Sequence, residues 1–156
     1  MINTKTTTSK EEVFRLIEEK DIEFIRVEFL DYSGITRGRT IRRDNIREVL
    51  DKGVNFSTAI MSFDMFDEYI PNPMYGAEDG DFFALPDPST FAILPHRKNT
   101  ARMLSDLVDI NGDPWPGCPR NALKKLLHKL EGLLGGKLHM AYEQEAYLLK
   151  EIDGIR

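Results

Sequence analysis

The stretch Ile22-Glu23-Phe24-Ile25-Arg26-Val27-Glu28-Phe29-Leu30-Asp31-Tyr32-Ser33-Gly34-Ile35-Thr36-Arg37-Gly38-Arg39-Thr40-Ile41 decides the fold class. Ile25, Val27 and Phe29 alternate with Arg26 and Glu28, the two-residue period of a half-buried strand over residues 22–30. Asp31 to Gly34 supply a turn, and residues 35–41, with Ile35, Arg37, Arg39 and Ile41 on one face, read as the returning strand of a hairpin. Upstream, Ser9 followed three residues later by Glu12 is a capping box that predicts a helix over residues 10–20, its buried stripe Val13, Phe14, Leu16 and Ile17. Downstream, Asp44 is placed to cap a short helix carrying Ile46, Val49 and Leu50, with Gly53 at its end. A strand through Val54, Phe56, Thr58 and Ile60 follows, and residues 63–80, broken by Pro71, Pro73 and Gly76, form a long loop. Residues 81–85, 91–94 and 103–108 read as further strands, the first two separated by Pro86-Asp87-Pro88-Ser89-Thr90. Helix, hairpin, helix and then strands predict an α+β domain: one mixed sheet with a helix across one face.

The pattern changes after Trp115. Pro119 suits the first turn of a helix whose Leu123, Leu126, Leu127 and Leu130 recur at helical spacing, ended by Gly132 and Gly135-Gly136. A strand over residues 138–149 is expected next, then an Asp153-Gly154 turn with no returning strand behind it, as if the chain stopped in the middle of something. The polar, Thr-rich residues 1–8 are expected to be a disordered leader. At 156 residues the chain has room for one domain and a fraction, and 41% apolar residues suffice for an independent core. With 26 acidic against 21 basic side chains the net charge is −5, which argues against a nucleic-acid partner. The single Cys118 makes no internal disulfide, and neither a signal peptide nor an apolar run of membrane-spanning length is visible, so no membrane partner and a cytoplasmic location are expected.

Chemistry concentrates in Ala141-Tyr142-Glu143-Gln144-Glu145-Ala146-Tyr147. On a strand, Glu143 and Glu145 would share a face about 7 Å apart, each able to hold a hard divalent cation such as Mg²⁺ or Mn²⁺. A solvated strand face gives the same spacing, and His139 on that face is either a third ligand or simply exposed. His96 and His128 have no visible catalytic partners, Cys118 has no local histidine, and no glycine-rich phosphate loop occurs. Arg37, Arg39, Arg42 and Arg43 could form an anion site, but alternating Arg on a strand reads better as a solvated face or a subunit contact.

Taken together, these segments resemble the glutamine synthetase family and its γ-glutamyl-amide and γ-glutamylpolyamine synthetase-like branch. Residues 27–39 look like the family's opening hairpin, and Gly53-Val54-Asn55-Phe56 is similar to the segment before its first substrate loop. The stretch from Asp81 to Pro95 closely matches its Pro-Asp-Pro-x-Thr signature. Residues 113–120 look like the Pro-Arg start of its first catalytic-domain helix, and Glu143-Gln144-Glu145 like its Glu-x-Glu metal strand. The resemblance implies a leader and first helix over residues 1–20, a β-grasp N-terminal domain over 21–115, and only the first helix and strand of a catalytic domain over 116–156. It further implies an ATP-dependent ligase in which glutamate is phosphorylated and the acyl phosphate is attacked by an amine. By the same carry-over, Glu143 serves the metal on the ATP phosphate side and Glu145 the one nearer glutamate. A ring-type, dodecamer-like homo-oligomer with active sites between subunits is implied as well.

Ammonia-using members carry an Asp after the residue matching Phe56, which takes part in ammonium binding in the neighbouring subunit's site; this chain has Ser57. A neutral hydroxyl does not offset a cation, so an organic amine is favoured over ammonia. Asp81 falls near the same shared site. The alternative is a family member without catalysis, serving as a structural or interaction module. In either case the 156 residues alone are expected to be inactive.

Overall fold

The computed structural model describes residues 8–150. The chain divides into two compact units, Met1–Lys125 and Leu126–Arg156. Helix α1 (Lys10–Glu19) starts where the capping box puts it: the Ser9 hydroxyl accepts the Glu12 amide at 3.2 Å. Its inward face buries Val13 and Ile17, with Phe14 packed beside them, while Arg15 pairs on the outer face with Glu12 and Glu19. Strands β1 (Phe24–Leu30) and β2 (Thr36–Arg42) form the expected hairpin, with Phe29 opposite Arg37 and Val27 opposite Arg39. Helix α2 (Ile46–Lys52) leads into β3 (Val54–Ser57), followed by β4 (Asp81–Pro86), the two-residue β5 (Ala92–Ile93) and β6 (Thr100–Val108). The sheet order is β2-β1-β6-β4-β3, with β5 beside β6; β1 and β6 run parallel and the other pairs antiparallel. This is the mixed-sheet α+β architecture expected, of the β-grasp kind.

One face of the sheet is the core. Ile25, Val27 and Phe29 of β1, Ala101, Met103 and Leu107 of β6, Phe82 and Ala84 of β4, and Val54 and Phe56 of β3 are buried with Ile46, Val49 and Leu50 of α2. Phe29 meets Phe56 and Phe82 edge-on at centroid distances of 4.9 and 5.3 Å, and Phe82 stacks on Trp115 at 4.9 Å. Each such ring contributes about 2–3 kcal/mol through burial alone.

Several local expectations are corrected. Asp44 does not cap α2: a 3₁₀ turn over Arg43–Asn45 intervenes and no side chain caps the helix. Gly53 ends α2 with φ +76°, a conformation other residues adopt only with strain. The third strand stops at Ser57, because the Thr58 hydroxyl, placed in the strand by periodicity, donates to the carbonyl region of Gly76 and Gly80 at 3.0 Å and turns the chain into a 3₁₀ helix, Thr58–Ser62. Strand β5 is shorter than residues 91–94, and β6 starts three residues before Met103, extended by its pairing with β1.

Helix α3 (Pro119–Leu134) runs through Gly132 and ends before Gly135, whose φ is +65°. Residues 138–149 form no strand; Leu148 and Tyr147 are exposed, and no ladder pairs with them among the described residues. A lone strand has nowhere to satisfy its backbone groups except water, so alternation by itself does not create one. The leader and the Asp153-Gly154 turn lie, apart from Thr8, outside the described residues.

Candidate functional site

The two residues expected at a shared substrate site come together. Ser57 and Asp81 are direct partners across the antiparallel β3–β4 pair, although 23 residues separate them in the chain. Opposed residues share a face, and since Phe56 and Phe82 point to the core, Ser57 and Asp81 point away from it. Asn55 shares their face and donates to the Asp81 carboxylate at 3.2 Å. Ser57 itself accepts the Ala59 amide at 3.4 Å, which opens the 3₁₀ turn. Both side chains are exposed, β3 is the edge of the sheet, and the long loop 63–80 leaves and returns beside them. The arrangement offers one carboxylate, one hydroxyl and one amide to a polar or cationic group approaching the edge.

The loop itself is tied down at several points. Ser62 and Tyr69 donate to the Tyr75 carbonyl at 2.6 and 3.2 Å, and the Asp64 carboxylate accepts the amides of Phe66 and Glu68. Arg37 reaches it from β2. Its guanidinium donates to buried Asp31 at 2.8 Å and to Asp67 at 2.5 Å, while Asp31 also accepts the amides of Ser33 and Ile35. Arg37 therefore leaves the solvated arginine face that alternation suggested: it sits on the core side opposite Phe29, its charge neutralised, and its hydrogen bonds to both aspartates raise its pKa. Arg39 stays exposed, as the solvated reading has it, while its guanidinium lies over the Phe56 ring, 4.7 Å from the centroid. Arg42 and Arg43 fit the solvated reading, with loose pairs to Asp44 and Asp21.

The Pro-Asp-Pro-x-Thr stretch has an internal logic. Asp87 accepts the Ser89 amide and hydroxyl at 3.0 and 2.6 Å, making a tight turn of Pro88–Thr90. Thr90 accepts the Leu104 amide at 2.8 Å and donates to the Asp87 carbonyl at 2.7 Å, so it stands in for a missing strand partner where β4 gives way to β5 along β6. The second Asp87 oxygen takes Arg120 at 2.6 Å, and Arg120 also binds Asp106 of β6, which pairs with Lys124 at 2.5 Å. Burial alone would raise the Asp87 carboxyl; the hydrogen bonds from Ser89 and Arg120 outweigh it and hold it below the usual range. Two stretches noted separately in the sequence, the signature turn and the Pro-Arg start of the helix, are thus bonded to each other. Asp106 carried no sequence signal, because an acid on the outer face of a strand reads as solvated.

Glu143 and Glu145 lie in residues 137–150, which have no regular secondary structure and are exposed. Without a strand the same-face geometry is not formed, and no group of three or more His, Cys, Asp or Glu side chains able to hold a metal ion occurs among the described residues. His139 is exposed in the same segment and joins no such group. The residues present therefore do not by themselves fit a divalent cation.

A family model described as glutamine synthetase N-terminal domain matches residues 10–115. Glutamine synthetase of Methanosarcina mazei is 33% identical over 154 residues, covering 96% of this chain and 32% of that protein. Gamma-glutamylanilide synthase of an Acinetobacter species is 30% identical, with the same 96% and 32% coverage, and glutamate–isopropylamine ligase of a Pseudomonas species is 33% identical, covering 86% and 30%. Among solved structures, one described as apo GmaS without ligand superposes with a TM-score of 0.65 at 27% identity, covering 78% of this chain and 26% of that one. A GmaS/ADP complex gives 0.63 at 28% identity, covering 77% and 25%. The chain spans about a third of the length of the curated relatives it matches.

Proposed function

This chain belongs to the glutamine synthetase family, and from that premise we propose that it is the N-terminal β-grasp part of an ATP-dependent ligase joining glutamate to an amine, with an organic amine favoured over ammonia. In this reading ATP phosphorylates the glutamate side-chain carboxylate, and the amine displaces phosphate to form the amide. The sheet edge carrying Ser57 and Asp81 faces the active site of a neighbouring subunit in a ring-type homo-oligomer, where it meets the amine.

The observation that carries the amine preference is the Ser57–Asp81 pairing. The residue following Phe56 is a neutral hydroxyl, and the nearest carboxylate on that face belongs to the cross-strand partner, already engaged by Asn55. A small symmetric ammonium ion loses its close counter-charge in such a setting, whereas a bulkier amine gains room and keeps a hydrogen-bonding rim. Two relatives named for anilide and isopropylamine ligation support the same direction.

Glu143 and Glu145 remain the proposed contacts for Mg²⁺ or Mn²⁺, Glu143 toward the ATP phosphates and Glu145 toward glutamate, once ordered by a sheet and completed by donors from outside residues 8–150. No step is assigned to a metal on this chain.

The experiment measures ADP release by the protein in which this chain precedes a catalytic domain, with glutamate, ATP and Mg²⁺ or Mn²⁺, against ammonium, isopropylamine, aniline and a polyamine. Turnover with at least one organic amine exceeding that with ammonium is expected. Robust glutamine formation from ammonium with no product from any organic amine would overturn the amine preference, and no ADP release under any condition would favour the non-catalytic alternative.

A further inference from the structure

Strand β6 changes neighbours halfway along. Its last pair with β1 is Glu28 with Leu104, while β5 and then β4 pair along its other edge. Phe29 and Leu30 continue past that point without a β6 partner, and the gap is roofed by the first turn of α3. The result is a half-open cleft of about 300 Å³ lined mainly by Phe29, Leu30, Leu104, Leu107 and Leu123, with Leu30 and Leu123 exposed at its mouth. Two further lining groups give it character. Ser105 is 1% exposed, and its hydroxyl has no hydrogen-bond partner among the described residues. Arg120 is the one charged side chain in the lining, and it is committed to Asp87 and Asp106.

A buried hydroxyl without a partner is costly and marks a position where a donor or acceptor is wanted. The rest of the wall is apolar, and the only charge is already neutralised, so neither an anion nor a cation finds a counter-charge. A volume at the lower end of the ligand-pocket range suits a small molecule. We propose that this cavity binds a small, neutral, mainly apolar molecule carrying one hydrogen-bonding group, which docks on the Ser105 hydroxyl. Its lining contains none of Ser57, Asp81, Glu143 or Glu145, so the site is separate from the one proposed for the ligase reaction and takes a different chemical class from a protonated amine.

Cys118, the chain's only cysteine, lines the same cavity and is buried, its sulfur accepting the amides of Leu107 and Asn121 at 3.4 Å. It serves as a built-in reporter. The test measures the rate of Cys118 modification by Ellman's reagent in the 156-residue chain, with increasing benzyl alcohol, toluene or benzylamine, and follows the Ser105 and Leu107 amide resonances. Benzyl alcohol is expected to protect Cys118 saturably and to bind about fivefold tighter than toluene, one hydrogen bond's worth, with charged benzylamine weaker than the alcohol. In Ser105→Ala, which removes a group with no partner and so preserves the fold, the alcohol's advantage over toluene should vanish. Absence of saturable protection by any probe, meaning that the cavity holds water only, overturns the proposal, and so does an alcohol preference that survives Ser105→Ala. Either result leaves amine-dependent ADP release untouched, so the two readings fail independently.

Discussion

The signature turn around Asp87 and the acidic segment around Glu143 are comparably distinctive as sequence, yet the fold treats them in opposite ways. Asp87 finds Ser89 two residues away, and Arg120 and Lys124 on α3, all within Met1–Lys125, so its carboxylate is fully engaged. Glu143 and Glu145 have no ladder and no ion pair among the described residues, and their side chains are exposed. A motif becomes structure only where its partners lie on elements that the chain itself supplies; elsewhere it remains composition.

That contrast can be broken at several strengths. The largest effect is expected from Phe82→Ala, which empties a fully buried position touching Phe29 and Trp115 and should cost about 3–5 kcal/mol in denaturant unfolding; Leu148→Ala should cost less than about 0.5 kcal/mol. Next comes Asp31→Ala. It removes the buried one of Arg37's two carboxylate partners and strands two hairpin amides, a loss of about 2–3 kcal/mol, and proteolysis should then reach the loop 63–80 before the strands. Arg120→Ala should cost about 2 kcal/mol and expose the first turn of α3 to faster amide exchange.

The same cluster has a pH signature. Because the folded Asp87 carboxyl titrates below its unfolded value, its contribution is complete above the unfolded pKa, near pH 4, and is lost as pH falls through the lowered folded value. Acid unfolding should therefore begin at higher pH in Asp87→Asn, whereas Glu143→Gln, a change on an exposed side chain and the smallest expected effect, should leave denaturant stability unaltered.

The hairpin, both N-terminal helices and the strand series were legible because each is set by local period and turn chemistry. Ser57 facing Asp81 was not, since a register spanning a long loop depends on where the ends meet rather than on either strand. Arg37 misled for a related reason. Alternation placed it on a face but did not say that the face was the core side, where Asp31 neutralises it. Thr58 fitted the strand period and left it because its hydroxyl found carbonyl acceptors in the returning loop. The segment 138–149 shows the converse: alternation without a neighbour to pair with makes no strand.

Residue-resolved hydrogen exchange on the 156-residue chain tests the account most directly. Amides of β1 and β6 should exchange orders of magnitude more slowly than unstructured peptide, and those of Leu104 and Ala122 should share that protection through Thr90 and Cys118, while residues 137–150 exchange at unprotected rates. Strong protection across residues 138–149, at concentrations where the chain is monomeric, would contradict it, because the acidic pair would then already stand on a formed strand.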